Sequence, residues 1–313
     1  MFPGDAALPR PALTVVIPAF DAEAYVEQSV RSALAQESVD VSVVVVDDGS
    51  ADRTAAVVAG IGDPRARLLR QANAGPGAAR DAGARAAATA YVAFLDADDV
   101  LLPGWAAAVC AALDAGATVA VTDAFVFCGD ERAELTYYQE LPFPHEDQAA
   151  QILRYNFVLT TAAVRRDALL QVGGYSAAGV GVAEDWALWQ ALLLAGGSVA
   201  LVPRVLSGYR RGHASLSSRV ERMKADEIRL LRRRRRQVRH DRALSRAARE
   251  GLRVLRGDRA IHRVRRLAPA APRRAALAAT AAAWYFPHRR HAKAAVLLAL
   301  APERGRRYVA TRI

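Results

Sequence analysis

The stretch Val41-Ser42-Val43-Val44-Val45-Val46-Asp47-Asp48-Gly49-Ser50 decides the fold. Its first six residues are β-branched apolar side chains with one serine among them, so they read as a buried strand. Two carboxylates and a glycine follow at once. In an open parallel sheet, ligands bind beyond the carboxyl ends of the strands, and the glycine permits a tight turn there. Asp47 and Asp48 are therefore placed to accept hydrogen bonds from a base or ribose. Behind them, Ser50 and Asp52 have the chemistry of helix N-caps, and Asp52–Ala59 reads as the helix.

Working outward, the same alternation repeats. Leu13–Ile17 is an apolar run ending at Pro18, Leu68–Leu69 sits in a short third strand, and Tyr91–Leu95 forms a fourth. Between them Glu23–Ala35 and Gly77–Ala88 have helical spacing, and Pro103–Leu113 is a helix with proline in its first turn. Thr118–Phe127 reads as a strand, Glu131–Gln151 as loops and short helices, Ala183–Ala195 as helix, and Val199–Leu201 and Val205–Tyr209 as two strands. This order predicts an α/β fold: a Rossmann-like, mostly parallel mixed sheet flanked by helices. Residues 1–220 are expected to form that domain.

Residues 221–313 have a different texture. The whole chain of 313 residues carries a net charge of +11. Up to Val220 it holds 16 Lys and Arg against 25 Asp and Glu, a balance of −9; beyond it the numbers are 27 and 7, a balance of +20. Arg232, Arg235, Arg239, Arg242, Arg246, Arg249, Arg253 and Arg256 recur at spacings of three and four, which places them on one face of a long helix. Leu231, Val238, Ala248, Leu252 and Leu255 lie a quarter-turn away and can dock that helix. Pro269–Pro272 breaks it. An acidic body can hold a cation, and a basic helical extension favours an anionic surface. The two cysteines, Cys110 and Cys128, cannot build a disulfide framework and read as small buried hydrophobes. No apolar run approaches membrane-spanning length, and Met1–Pro11 lacks the pattern of a secretory signal, so the expected location is cytoplasmic.

Four further clusters carry chemistry. Asp96-Ala97-Asp98-Asp99 follows the strand ending at Leu95. Three carboxylates in four residues repel one another unless a cation or solvent compensates. A divalent ion with hard-oxygen preference would satisfy them while holding a diphosphate; the plainer alternative is a solvated turn with Asp99 capping the next helix. In Asn73-Ala74-Gly75-Pro76-Gly77-Ala78-Ala79-Arg80, amide groups at a helix start and the Arg80 guanidinium can face phosphate, although the dinucleotide fingerprint lacks its last glycine. Gly179–Ala183 delivers Glu184 and Asp185 to a helix start, with Trp186 and Trp189 behind; Asp185 suits a general base, and an indole can cover the apolar face of a sugar. Tyr209-Arg210-Arg211-Gly212-His213 closes the acidic body, and His213 is a metal or phosphate ligand candidate.

Together these residues resemble the inverting family 2 glycosyltransferases, which have the nucleotide-diphospho-sugar transferase fold called GT-A. The resemblance runs from Leu13 to Ser218 and rests on Val16-Ile17-Pro18-Ala19-Phe20, Asp47-Asp48-Gly49-Ser50, the Asn73/Gly75/Arg80 loop, Asp96-Ala97-Asp98-Asp99, Val172-Gly173-Gly174-Tyr175, Glu184-Asp185 and the Tyr209–His213 end. It implies a nucleotide-diphospho-sugar donor and a Mg²⁺ or Mn²⁺ ion. Phe20 and Asp48 would border the nucleoside, with Asp47 supporting that pocket, and Asp96 would meet the ribose or the metal shell; Pro18, Arg80, Ala97 and Asp98 complete the donor-binding set. Asp98 would be the principal metal ligand, with Asp96 and His213 as further contacts. Asp185 would deprotonate the acceptor hydroxyl, supported by Glu184. The acceptor is left open among a growing or lipid-linked glycan, a protein and a small molecule, and the resemblance implies bacterial polysaccharide or glycoconjugate synthesis. The family commonly has asparagine where this chain has Asp21 and Asp81.

Two other readings are weighed against this one. A nucleotidyltransferase would want basic residues near the first strand, and Pro18–Glu27 has none. A non-catalytic nucleotide-sugar or anionic-surface binding protein would be built around Arg232–Arg236. Those arginines favour peripheral contact with an anionic membrane at its inner face, or with an acidic partner surface, over nucleic acid, for which no recognised motif is present; a solvated, self-packed helical hairpin is the plain alternative. The helical extension also offers a surface for a homodimer.

Overall fold

The computed structural model describes residues 12–129, 131–178, 181, 183–211, 220–268, 270–285 and 303. The chain divides into two compact units: Met1–Gln148 with Asn156–Gly179 and Glu184–His213, and Ala149–Tyr155 with Val180–Ala183 and Ala214–Ile313.

In the first unit, β1 (Ala12–Ala19), β2 (Asp40–Asp47), β3 (Ala66–Arg70) and β4 (Tyr91–Phe94) are mutually parallel in the order β3-β2-β1-β4. The intervening helices are α1 (Val26–Leu34), α2 (Thr54–Gly60) and α3 (Pro76–Ala86). In α1, Val26, Val30, Ala33 and Leu34 are buried, the spacing of one helical face. Helix α3 packs so closely on β1 that a Cβ at Gly83 would strike the methyl groups of Val16; only glycine allows that approach. The register sets Ala19 beside Asp47, so β1 and β2 end together. That alignment gathers Pro18, Phe20, Asp47 and Asp48 at one edge of the sheet.

The sheet continues through a mixture of antiparallel and parallel pairs. After β5 (Val100–Leu101) and α4 (Trp105–Asp114) come β6 (Val119–Cys128), β7 (Glu131–Thr136), α5 (Tyr137–Glu140), α6 (Gln148–Gln151), β8 (Ala162–Arg165), α7 (Arg166–Gln171), α8 (Gly174–Ala178), α9 (Glu184–Leu194) and β9 (Val199–Arg210). The full order is β3-β2-β1-β4-β8-β6-β9-β5, with β7 paired to β6. This is the mixed, mostly parallel α/β sheet that the alternation predicts. Two details differ. The Glu131–Gln151 region contains a strand, β7, antiparallel to β6; its side chains are mostly exposed, so it lacks the apolar pattern by which a strand is recognised. The two expected strands after Val199 are one, because parallel pairing with β6 carries through two register shifts.

The second unit contains α10 (Val220–Gln237), α11 (Arg242–Leu267) and α12 (Pro272–Tyr285). The arginine stripe is therefore not on one continuous helix. The Asp241 carboxylate accepts the Leu244 N–H at 2.9 Å and starts α11 afresh, so Arg232 and Arg235 lie on α10 and Arg242–Arg256 on α11. Leu231, Ala248, Leu252 and Leu255 are buried, as the quarter-turn reading expects, whereas Val238 lies in the turn and is half-buried. Val264, Ala268, Ala275, Ala276 and Ala279 form a small core between α11 and α12. Gly251 sits against the Leu153 carbonyl, and Arg154 pairs with Glu250 at 2.8 Å. Cys110 is buried, but Cys128, at the exposed end of β6, is not. Among the described residues no helix is long and apolar enough to cross a membrane.

Candidate active site

Asp47 and Asp48 are almost wholly buried, and both are fully engaged with backbone and side chains nearby. Asp47 accepts the Ser50 N–H at 2.9 Å and Arg70 Nε at 3.1 Å. Asp48 takes Gln71 Nε2 and the Ala74 N–H on one oxygen and the Gly75 N–H on the other, at 2.8–2.9 Å. The second carboxylate thus folds the Asn73–Gly75 loop back toward the end of β2. Phe20 stands half-exposed at the same edge, 51% accessible, and Pro18 pairs with Val46. Asp52 accepts the Thr54 N–H at 2.9 Å, but the N-cap position of α2 is Arg53 and no side chain caps that helix, so the expected cap at Ser50 or Asp52 is not formed; Asp52 sits one residue too early.

The acid turn follows β4. Oxygen atoms of Asp96, Asp98 and Asp99 all lie within 4.8 Å of one another. Three hard anionic donors on one turn fit a divalent cation such as those bound through carboxylates and phosphate together. Ala97 is buried between the first two. Asp99 does not cap a helix: its Oδ1 accepts the Arg210 N–H at 2.9 Å and its Oδ2 the Thr161 hydroxyl at 3.4 Å. Burial, then the charges of Asp96 and Asp98, push its carboxyl well above the usual range. The Arg210 guanidinium also donates to the Asp98 carbonyl at 2.8 Å, so β9 is tied directly to the turn.

Arg80 joins the turn to α9. Its guanidinium is buried and bonds Asp96 Oδ1 at 2.6 Å and Glu184 Oε1 at 2.9 Å. Burial alone would lower its pKa, but the charges of Asp96, Tyr175 and Glu184 raise it, and it stays a cation. Arg80 Nε and Glu184 Oε2 have no hydrogen-bond partner among the described residues, which leaves polar capacity beside the acid turn. Asp185 is held by Asn156 Nδ2 at 3.2 Å and by the Thr160 hydroxyl at 3.5 Å. Burial, then the neighbouring Glu184 charge, push its carboxyl up to about 7. A carboxyl poised there exchanges protons readily near neutrality.

Not every expected residue falls here. Trp186 and Trp189 are buried core side chains, 3% and 0% accessible, and so cannot cover a sugar; the residues after Asp185 turn them into α9's packing face. His213 lies outside the described residues, as does most of the loop before Glu184. Asn156, Thr160 and Tyr137 escaped the sequence reading because each comes from a segment without a motif; Tyr209 opens the Tyr209–His213 motif, in which only His213 stood out as a ligand. Of the two aspartates in place of asparagine, the structure explains Asp81 and not Asp21, whose contacts an asparagine would make equally. Asp21 has φ +47° and accepts the Ala51 N–H at 2.8 Å. Asp81 accepts the Tyr175 N–H on one oxygen and the Ser176 N–H on the other, both at 2.8 Å. A carboxylate satisfies both donors, whereas an amide would set its own N–H against one of them.

A mixed, mostly parallel sheet whose fourth strand ends in a carboxylate turn suited to a divalent ion is the GT-A type of nucleotide-diphospho-sugar transferase fold. Residues 14–173 match glycosyl transferase family 2, and the chain belongs to that family. Succinoglycan biosynthesis protein ExoO of Rhizobium meliloti (strain 1021) is 35% identical over 228 residues, 66% of this chain and 63% of that protein. The uncharacterized glycosyltransferase EpsJ of Bacillus subtilis (strain 168) is 33% identical over 91 residues, 28% of this chain and 26% of that one. The chain thus spans less than two thirds of the length of these relatives. A crystal structure of S. aureus TarS 1-349 in complex with UDP-GlcNAc superposes with a TM-score of 0.62 at 16% identity, over 96% of this chain and 91% of that one. That likeness is one of fold.

Proposed function

We propose that the chain transfers a sugar from a nucleotide-diphospho-sugar to an acceptor hydroxyl, with inversion, in bacterial polysaccharide or glycoconjugate synthesis. The observation that carries this reading is the Arg80 bridge. One buried cation holds the acid turn through Asp96 and the start of α9 through Glu184, which supports a cation-binding turn and a proton acceptor working at a common centre. Asp98 and Asp96 would hold Mg²⁺ or Mn²⁺, with His213 as a further ligand. Such an ion supplies charge neutralisation at the departing diphosphate. Pro18, Phe20, Asp47 and Asp48 would border the nucleoside, and Arg80 and Ala97 the ribose and diphosphate side. Asp185 accepts the acceptor proton as the acceptor oxygen bonds to the anomeric carbon, and the electron pair of the breaking bond leaves on the diphosphate.

The succinoglycan role of ExoO supports a glycan product, and the UDP-GlcNAc complex of TarS makes uridine diphosphate sugars the first donors to try. The arginines of α10 and α11 support work at an anionic membrane surface, on its cytoplasmic side. The deciding experiment is binding of a panel of nucleoside diphosphates, with and without Mn²⁺, to the wild type and to Asp98→Ala. Metal-dependent binding that the variant loses supports the reading. Equal binding by both, or none by the folded wild type, would leave the non-catalytic binding protein as the better account.

A further inference from the structure

Helix α5 and the end of β9 carry aromatic and charged side chains that the donor reading leaves unused. The Tyr137 and Tyr209 rings meet edge to face, with centroids 6.1 Å apart and planes at 85°. Tyr209 belongs to the acid turn's side: its neighbour Arg210 is bonded to Asp99 and to the Asp98 carbonyl. Tyr137 belongs to the base's side. The hydroxyl of the adjacent Tyr138 donates to the Phe157 carbonyl at 3.0 Å and accepts the Leu159 N–H at 3.4 Å. That segment contains Asn156 and Thr160, which hold Asp185. Asp123 fixes α5 in place by accepting the Tyr138 N–H at 3.0 Å. At the rim Arg211 lies over the Tyr209 ring, 5.4 Å from its centroid, and approaches Glu140 at 3.5 Å.

We propose that Tyr137 and Tyr209 form the acceptor subsite, and that the unit they receive is a pyranose ring of a glycan and not a serine or threonine side chain. The proposal rests on the glycosyl transfer set out above. An attacking hydroxyl must lie between the leaving group and the base, and the two rings in contact join the segment bonded to the acid turn, through Arg210, to the segment that holds Asp185, through Tyr138. A pyranose presents a C–H face to an aromatic ring and hydroxyl groups around its edge; phenols contribute an apolar face and a polar tip together. Glu140 and Arg211 are the rim partners for outer hydroxyls. The hydroxymethyl group of a serine is too small to engage both rings.

Saturation-transfer NMR with methyl glycosides of glucose, galactose and N-acetylglucosamine, and with N-acetylserinamide, tests this. The protein is the full chain with uridine diphosphate and Mn²⁺ present. At least one glycoside is expected to receive saturation in the wild type, with N-acetylserinamide silent. Tyr137→Ala and Tyr209→Ala should each weaken glycoside binding by about tenfold or more. Tyr137→Phe, which keeps the ring and its packing, should weaken it only several-fold. No glycoside signal in the wild type, a signal unchanged in the variants, or a serinamide signal would overturn the proposal. Nucleoside diphosphate binding, followed in the same samples, is expected to survive all three substitutions. Its absence from the wild type would count against the donor reading, whereas its presence without glycoside binding would count against this subsite alone.

Discussion

The sheet-based unit and the helical unit use the same charged residue types in opposite ways. In the first, charge is buried and bonded: Asp47, Asp48, Arg80 and Asp99 are each at most 5% accessible and each has named partners. In the second, Asp226 is buried and paired with Arg229, but the arginine stripe is not: Arg232, Arg233, Arg235, Arg239, Arg242 and Arg249 are exposed. A buried charge must be paired, and a fully satisfied buried network holds its members in one arrangement. Exposed guanidinium groups on a helix fix nothing, but their fields add and act on whatever large anion approaches. Precise chemistry and diffuse attraction thus come from burial, not from residue choice.

The largest test of this contrast is at the acid turn. Asp98→Ala should abolish metal-dependent nucleotide binding and lower transfer by about a thousandfold or more, while the melting temperature changes little. Activity assays beside thermal melts check both. Asp185→Asn should lower kcat by about 10²–10⁴-fold, the usual contribution of a general base. Its pH dependence is specific. The Asp185 pKa is raised by folding, so the group stabilises the fold when protonated, and that contribution is lost as pH rises through about 7. Asp185→Asn should therefore melt higher than the wild type above pH 7 and not at pH 4. Wild-type kcat/KM should fall about tenfold per pH unit below 7, because the base is then protonated.

Smaller effects separate the two units by packing. Gly83→Ala puts a methyl group into Val16 and should cost about 1–3 kcal/mol, reducing activity through stability. Gly251→Ala meets the Leu153 carbonyl, and calorimetry should show its loss in a helical transition, partly offset by roughly 1 kcal/mol of helix propensity. Least of all on transfer to small soluble acceptors, replacing Arg232–Arg236 by glutamine should leave kcat within about twofold. The same variant should lose binding to phosphatidylserine-containing vesicles, with about 1 kcal/mol lost per arginine at low salt. Retained vesicle binding would break the contrast, since it would assign the attraction elsewhere.

Much of the sheet was legible because its strands are continuous β-branched runs ending in turn residues: Val43–Val46 before Asp47, Val92–Leu95 before Asp96. The antiparallel strand β7 was not, because Glu131–Thr136 is held by pairing with β6 and has no buried face to leave a period. The helix break at Asp241 was hidden for a related reason. Arginine spacing continues across it, and only the side chain of Asp241 turning back onto Leu244 shows that a new helix begins. The tryptophans misled because an indole after an acidic pair suits a sugar site and a core equally well.

By itself the sequence determined the α/β class, the family and the positions of the acid turn and the acidic pair, because apolar periodicity and the residues that end strands are local properties. Only tertiary structure decided that Arg80 joins Asp96 to Glu184, 104 residues from Arg80, that Asn156 and Thr160 hold Asp185, and that Tyr137 faces Tyr209. Those contacts join segments far apart in the chain, and their geometry is set by sheet order and by the desolvation of the groups they bring together.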